Sequence, residues 1–267
     1  MTVQTAPAPA RTASGHRLTF PAAVRGEWIK LSTLRSTWWS IAIVAVLTVG
    51  IAALIAQAVD MPGFEPIQAV VMPIQFTMLL AGILGAISVT GEYSTGMIRS
   101  TLTANPVRGS VLAAKALVVA VFMFVSALIT FGAAALAVML IVAPRDQSID
   151  WSDPKASILP ILVASLAMAV FALIGVAFGF ILRSGAGAIA ATVGLLFVLP
   201  IVANMFMIAG EAWQWVADLA RYLPVAAAQS AIVPGTGLDE PIAYLTLGGW
   251  VVAAMLAAWA VLRTRDA

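Results

Sequence analysis

The chain has 267 residues, 62% of them hydrophobic and only 10% charged, with a formal net charge of +2 and a mean hydropathy of +1.02. A soluble domain carries about 45–50% apolar and about 25% charged residues, so this balance excludes an ordinary soluble enzyme and points to an all-α integral membrane protein. Cysteine is absent and His16 is the single histidine, which excludes disulfides, thiolate chemistry and a His/Cys metal cluster.

Residues 1–19 are rich in Ala, Pro and Thr and lack the apolar core of a signal peptide. They read as a disordered cytoplasmic tail with His16 as an incidental member. An interfacial amphipathic helix is expected over 20–37. Phe20, Val24, Trp28, Leu31, Leu34 and Trp38 recur at three- and four-residue steps and form a stripe about 120° wide. Arg25 and Lys30 lie off the stripe, toward anionic headgroups, and the tryptophans suit the interface. Glu27 falls on the edge of the stripe and wants a cation, either Lys30 three residues on or a group from a neighbouring loop or a partner protein.

A bilayer core about 30 Å thick needs roughly 20 apolar residues per helix. Six runs meet that length, about 38–59, 66–90, 110–143, 156–182, 184–209 and 241–262, leaving 263–267 as a second cytoplasmic tail. Every ionisable residue lies outside them except Lys115, one turn into the third, which is expected to snorkel. The connecting segments sort by charge. The amino terminus, the loops after the second and fourth spans and the carboxy terminus hold Arg11, Arg17, Arg25, Lys30, Arg35, Arg99, Arg108, Lys115, Arg183, Arg263 and Arg265, leaving only Arg145, Lys155 and Arg221 of the 14 basic residues for the other side. The positive-inside rule then puts both termini in the cytoplasm.

The spans are poor in chemistry. Their polar residues are neutral, such as Gln57, Gln75 and Asn204, whereas a proton relay needs groups that change charge inside the bundle. A serine nucleophile would lack a base, paired carboxylates are missing, and no phosphate-binding loop of the G-x-x-x-x-G-K-[ST] kind occurs. If energy drives this protein, it comes from another polypeptide.

One polar island, Gly91 to Arg108, separates the second span from the third. Continued to Lys115, it places Glu92, Gly96, Ile98, Leu102, Pro106, Val107, Arg108, Leu112 and Lys115 in a pattern that resembles the signature between the second and third helices of ABC type-2 transporter permeases. Arg221-Tyr222-Leu223-Pro224 looks like the Leu-Pro element before the last span of that family, and Met97 departs from the Thr that relatives often carry. The resemblance implies a coupling helix docked on a cytoplasmic ATPase, with Glu92, Gly96, Arg99, Pro106 and Arg108 at the contact. Gly96 would permit a close approach or unusual dihedral, Pro106 would end the turn, and the three charges would face a soluble partner. It further implies no catalysis in this chain, ATP and Mg bound by two separate ATPase subunits, and a second permease, identical or homologous.

The external segment 210–240 is expected to half-enter the membrane as a gate or to rest on the outer leaflet, with Trp215 and Tyr222 near one face and Pro224 after them. Ala81 with Gly85 and Gly175 with Gly179 have helix-packing spacing, and some of these faces are expected to meet the second permease. The resulting expectation is an exporter subunit in a bacterial inner membrane, consistent with Ala-, Val- and Arg-rich usage. Its substrate would be hydrophobic or amphipathic, a drug, lipid or natural product. The alternatives are a non-transporting scaffold or regulatory subunit for a cytoplasmic ATPase, and a secondary carrier, which uncharged spans disfavour.

Overall fold

The computed structural model describes residues 19–59, 64–208 and 211–265. The expected tail 1–18, with His16, Arg11 and Arg17, lies outside the described residues, as do 60–63, 209–210 and 266–267. Twelve α-helices and no strand occur among the described residues. α1 (Phe20–Thr33) ends where Leu34 turns extended, and α2 (Arg35–Ala58) starts directly after it. α1 lies on the protein with Glu27 buried, while Phe20, Trp28, Leu34 and Trp38 of the apolar stripe are exposed, the orientation an interfacial helix needs to offer that stripe to lipid.

Six helices are long and apolar enough to cross a membrane: Arg35–Ala58, Pro66–Ser94, Arg108–Arg145, Pro154–Leu182, Gly185–Phe206 and Glu240–Thr264. They match the six expected runs. Two of them are not continuous. The second consists of α3 (Pro66–Val71) and α4 (Ile74–Ser94), because Pro73 supplies no N–H and the helix restarts through Phe76 N donating to Pro73 O at 3.0 Å. The fifth runs as α8 (Gly185–Val193), a wider π turn at Gly194–Val198, and α9 (Leu199–Ile208). α5 (Met97–Ala104) and α6 (Arg108–Val142) follow the second span, and α7 (Pro154–Leu182) forms the fourth. Between the fifth and sixth spans lie α10 (Gln214–Ala220) and α11 (Pro224–Ile232), and α12 (Glu240–Thr264) closes the chain.

α7 is the axis of the bundle, packed by α4, α6, α8, α11 and α12. Its contact with α4 is made by backbone. A Cβ on Gly175 would stand 1.9 Å from Gly82 O, and one on Gly85 would stand 2.0 Å from Ala172 O. With no hydrophobic effect between helices in lipid, this close approach is what holds them. The small-residue faces expected to meet a second permease are therefore used inside the chain: Gly85, Gly175 and Gly179 pack α4 on α7, and Ala81 is fully buried. Several hydroxyls within the spans return to their own helices, as in Thr48 to Val44 O at 2.8 Å, Ser165 to Ile161 O at 2.7 Å and Thr192 to Ala188 O at 2.8 Å, which satisfies them without water.

The two ends of the bundle differ. Arg108 Nη1 donates to Leu262 O at 2.6 Å and Arg265 O at 3.1 Å, and Arg183 Nη2 donates to Arg265 O at 3.2 Å. At the opposite end Arg145 donates to Ala56 O at 2.9 Å and Gln57 O at 3.0 Å, closing the last turn of α2. The basic segments grouped by the charge count thus share one end of the molecule.

The α4–α7 seam gives a direct test. Gly175→Ala should cost about 3 kcal/mol or more, the upper range for overpacking a filled site. Gly132→Ala, where a Cβ meets nothing within 4 Å, should change stability by less than about 1 kcal/mol. Thermal unfolding of the purified variants in one detergent checks both.

Candidate functional site

The island begins in the last turn of α4. Thr95 N donates to Gly91 O and Gly96 N to Tyr93 O, each at 3.2 Å, and Gly96 then takes φ +71°, a left-handed conformation that glycine adopts without Cβ strain. No atom crowds Gly96, so the dihedral alone calls for glycine. The chain reverses into α5, which is amphipathic over two turns. Ile98 is buried, Thr101 and Leu102 are half-buried, and Met97, Arg99, Ser100 and Thr103 are exposed. Asn105 then forms the corner: its Oδ1 accepts from Val107 N and its Nδ2 donates to Ser110 Oγ, both at 3.3 Å. Pro106 and Val107 project outward, and α6 starts at Arg108.

Beneath α5 lies a closed ring of four charges from three elements. Lys115 Nζ of α6 reaches Glu27 Oε2 of α1 at 2.5 Å and Glu92 Oε1 of α4 at 2.8 Å. Lys30 Nζ of α1 reaches Glu27 Oε1 at 2.8 Å and Glu92 Oε1 at 3.0 Å. Each ammonium thus touches both carboxylates. The third donor of Lys115 goes to Ser88 O at 3.2 Å, and that of Lys30 to Thr101 Oγ1 of α5 at 3.4 Å. Glu27, Glu92 and Lys115 are 7%, 4% and 3% exposed, so neither water nor headgroups neutralise them and the ring must do so itself. Glu92 Oε2 is buried without a donor among the described residues, and Glu92 is held through one oxygen.

Burial pushes the Glu27 carboxyl up, but the charge and hydrogen bond of Lys115, followed by those of Lys30, outweigh it and leave its pKa below the ordinary 4.5. Burial likewise pushes Lys30 down, and Glu27 and Glu92 more than reverse it, leaving Lys30 above the ordinary 10.5.

This geometry revises several sequence expectations. Lys115 does not snorkel: it is buried and paired with two carboxylates. Glu27 takes Lys30 on its own helix and also Lys115 of the third span, a partner that neither alternative named. Glu92 offers no charge to an outside surface, and Arg108 is turned inward onto the α12 carbonyls. Of the five island residues singled out, Arg99 and Pro106 are exposed, and Gly96 sets the reversal that presents α5. Trp28 packs edge-on against Phe122 of α6, with ring centroids 5.9 Å apart, and so braces α1 beside the ring. Lys115 is the residue whose role the sequence reading missed. Two carboxylates, Glu27 and Glu92, on segments of the same expected side were the available signal.

At the other end, Trp215 and Tyr222 are exposed and Pro224 is buried at the start of α11. Trp250 Nε1 donates to Tyr222 O at 2.8 Å. Since Trp250 lies ten residues into α12, at 1.5 Å per residue the α10–α11 elbow sits roughly 15 Å below the start of that span. α11 packs on α7 and α12 and climbs back to where Ser230 Oγ accepts from Leu238 N at 3.0 Å. Beside this elbow is a cavity of about 660 Å³ whose walls include Gln75 and Phe76, Leu196 and Asn204 of the fifth span, and Arg221 and Gln229. None of the described residues forms a cluster of carboxylates and histidine able to hold a metal ion.

Six apolar spans, an interfacial helix and a short exposed helix pinned by buried charges define a polytopic helical membrane protein. Compared with models of protein families, residues 23–203 match the ABC-2 family transporter protein, and the chain belongs to that family: it is a membrane-spanning subunit of a transporter. A comparison with curated proteins finds no match.

The charge ring makes two predictions. Lys115→Met leaves two buried carboxylates sharing one ammonium and should destabilise the protein by about 3–5 kcal/mol, whereas Arg99→Ala on the exposed face should stay within about 0.5 kcal/mol; denaturant or thermal unfolding in detergent separates them. The pH dependence has a fixed sign. Stabilisation by Glu27, whose pKa is lowered, is present above the ordinary carboxylate value of 4.5 and lost as pH falls through its lower folded value. Stabilisation by Lys30, whose pKa is raised, is present below 10.5 and lost as pH rises through its higher folded value. The unfolding temperature should therefore be level between these limits, and Glu27→Gln should shrink the acid-side fall.

Proposed function

We propose that this chain is the permease half of an ATP-driven exporter, with α5 as the helix that docks on a cytoplasmic ABC ATPase. The carrying observation is the presentation of α5: a left-handed Gly96 at one end and the Asn105-Pro106 corner at the other hold two exposed turns at the basic end of the bundle. That end faces the cytoplasm by the positive-inside rule, which places both termini there. Two ATPase subunits and a second permease complete the transporter, ATP and Mg stay on the ATPase, and the setting is a bacterial inner membrane.

Coupling through α5 has a route inward. Thr101 contacts Lys30, and Lys30 shares both carboxylates with Lys115 at the start of the third span. Glu92 acts here as a positioning residue, and Arg99 with Met97 meets the partner. The substrate is hydrophobic or amphipathic. The spans themselves offer no charge at mid-depth, and the cavity combines apolar walls with the amides of Gln75, Asn204 and Gln229 and the guanidinium of Arg221 from the elbow, a lining suited to an amphipathic body with an apolar part and a few polar groups. The π turn at Gly194–Val198 widens the fifth span beside it, and the Trp215, Tyr222 and Pro224 elbow forms its outer gate.

The test is co-purification in mild detergent from the native host, identifying any bound ATPase. Arg99→Glu and Gly96→Val should each lose the ATPase while the permease elutes as a folded species. Gly96→Val acts through a left-handed strain of about 1–2 kcal/mol. Capture unchanged in both variants would move docking away from α5, and a complex whose ATPase rate ignores every substrate would point to a regulatory scaffold.

A further inference from the structure

The third and sixth spans leave a groove of about 400 Å³ between them, walled by Gly109, Leu112 and Ala116 of α6 and by Met255, Leu256 and Trp259 of α12. Its wall is apolar along its whole length, yet its mouth is at the basic end. A Cβ on Gly109 would come within 3.4 Å of Trp259 Nε1, so the indole lies against α6 backbone where that residue has no side chain. The Arg263 guanidinium stands 4.7 Å from the Trp259 ring centroid. Arg263 is exposed and has no carboxylate within ion-pair distance among the described residues. The two described carboxylates of this end, Glu27 and Glu92, are consumed by Lys30 and Lys115.

We propose that this groove is a binding site for one anionic phospholipid, its acyl chain between α6 and α12 and its phosphate at Arg263. The groove is too apolar for a soluble ligand, and its volume of about 400 Å³ would hold only about one turn of a helix about 10 Å across. An acyl chain fits both limits. The cation at the mouth and the absence of a described free carboxylate there supply the complementary charge, and the indole between chain and headgroup occupies the depth that tryptophan favours. The site is separate from α5, and its test does not depend on ATPase docking.

The experiment uses the full chain in phosphatidylcholine nanodiscs doped with increasing mole fractions of brominated phosphatidylglycerol or brominated phosphatidylcholine. The part of the tryptophan quenching that disappears in Trp259→Phe reports this groove. That part should reach half-saturation at about fivefold lower mole fraction of the anionic lipid, the preference expected of one basic side chain at a membrane surface. Arg263→Gln should abolish the preference, Arg263→Lys should keep it, and Ala116→Phe, which fills the groove, should lower quenching by both lipids. Equal half-saturation for the two lipids would reduce the groove to ordinary lipid contact and overturn the proposal. Absence of any Trp259 component, the result if a second copy covers α12, would overturn it too.

Discussion

Two carboxylates and an ammonium buried at one end of the bundle, closed into a ring by the half-buried ammonium of Lys30, are the constraint on which this structure depends. A single ammonium or carboxylate at that position would cost several kcal/mol to desolvate. Alternation makes the set tolerable, because every charge has two opposite neighbours and each ammonium uses all three donors. The consequence is mechanical. Glu27 and Lys30 tie α1, Glu92 ties the end of the second span and Lys115 ties the start of the third, so these elements cannot separate without baring an unpaired charge. α5 joins the same unit through Thr101 and through Ile98 beneath it.

A second rigid element continues inward from the first. Where α4 crosses α7, Gly82 and Gly85 of α4 and Gly175 of α7 let backbone meet backbone, and a backbone contact has no rotamer with which to absorb a displacement. The half away from the ring is built otherwise: Pro73 interrupts the second span, a π turn interrupts the fifth, and the α10–α11 elbow borders a 660 Å³ cavity. Burial follows this division. The fourth span is 78% buried within the chain, but the first, fifth and sixth are only 22%, 22% and 17% buried, so most of their surface faces away from the bundle.

Hydropathy reads the spans well because a lipid solvent imposes length and apolarity on every crossing helix, and all six runs were legible on that ground. The break at Pro73 was hidden, since Met72 and Pro73 are as apolar as their neighbours and hydropathy does not register a missing N–H. Gly96 and Pro106 were legible as punctuation, and their dihedral and corner roles follow from local chemistry. The ring was not legible as a ring. Its links between helices join residues 23, 62 and 88 positions apart, and helical periodicity carries no information about which remote turn faces which. Glu27 nevertheless signalled an unmet need, because a carboxylate at the edge of an apolar stripe has no stable place without a cation.

A count of positive charges treats lysine and arginine alike, whereas the structure divides them by shape. Lys30 and Lys115 enter the ring, where a compact ammonium with three donors can reach two carboxylates and a neutral oxygen at once. Arg108, Arg145 and Arg183 instead spread flat guanidinium forks over backbone carbonyls at helix ends, where several parallel acceptors converge and the negative end of the helix dipole adds attraction. These basic residues close the bundle, lysines by neutralising its buried acids and arginines by capping its helices. Arg99 does neither. It stands on the exposed face of α5, and that position, more than its charge, separates it from the other basic residues of the island.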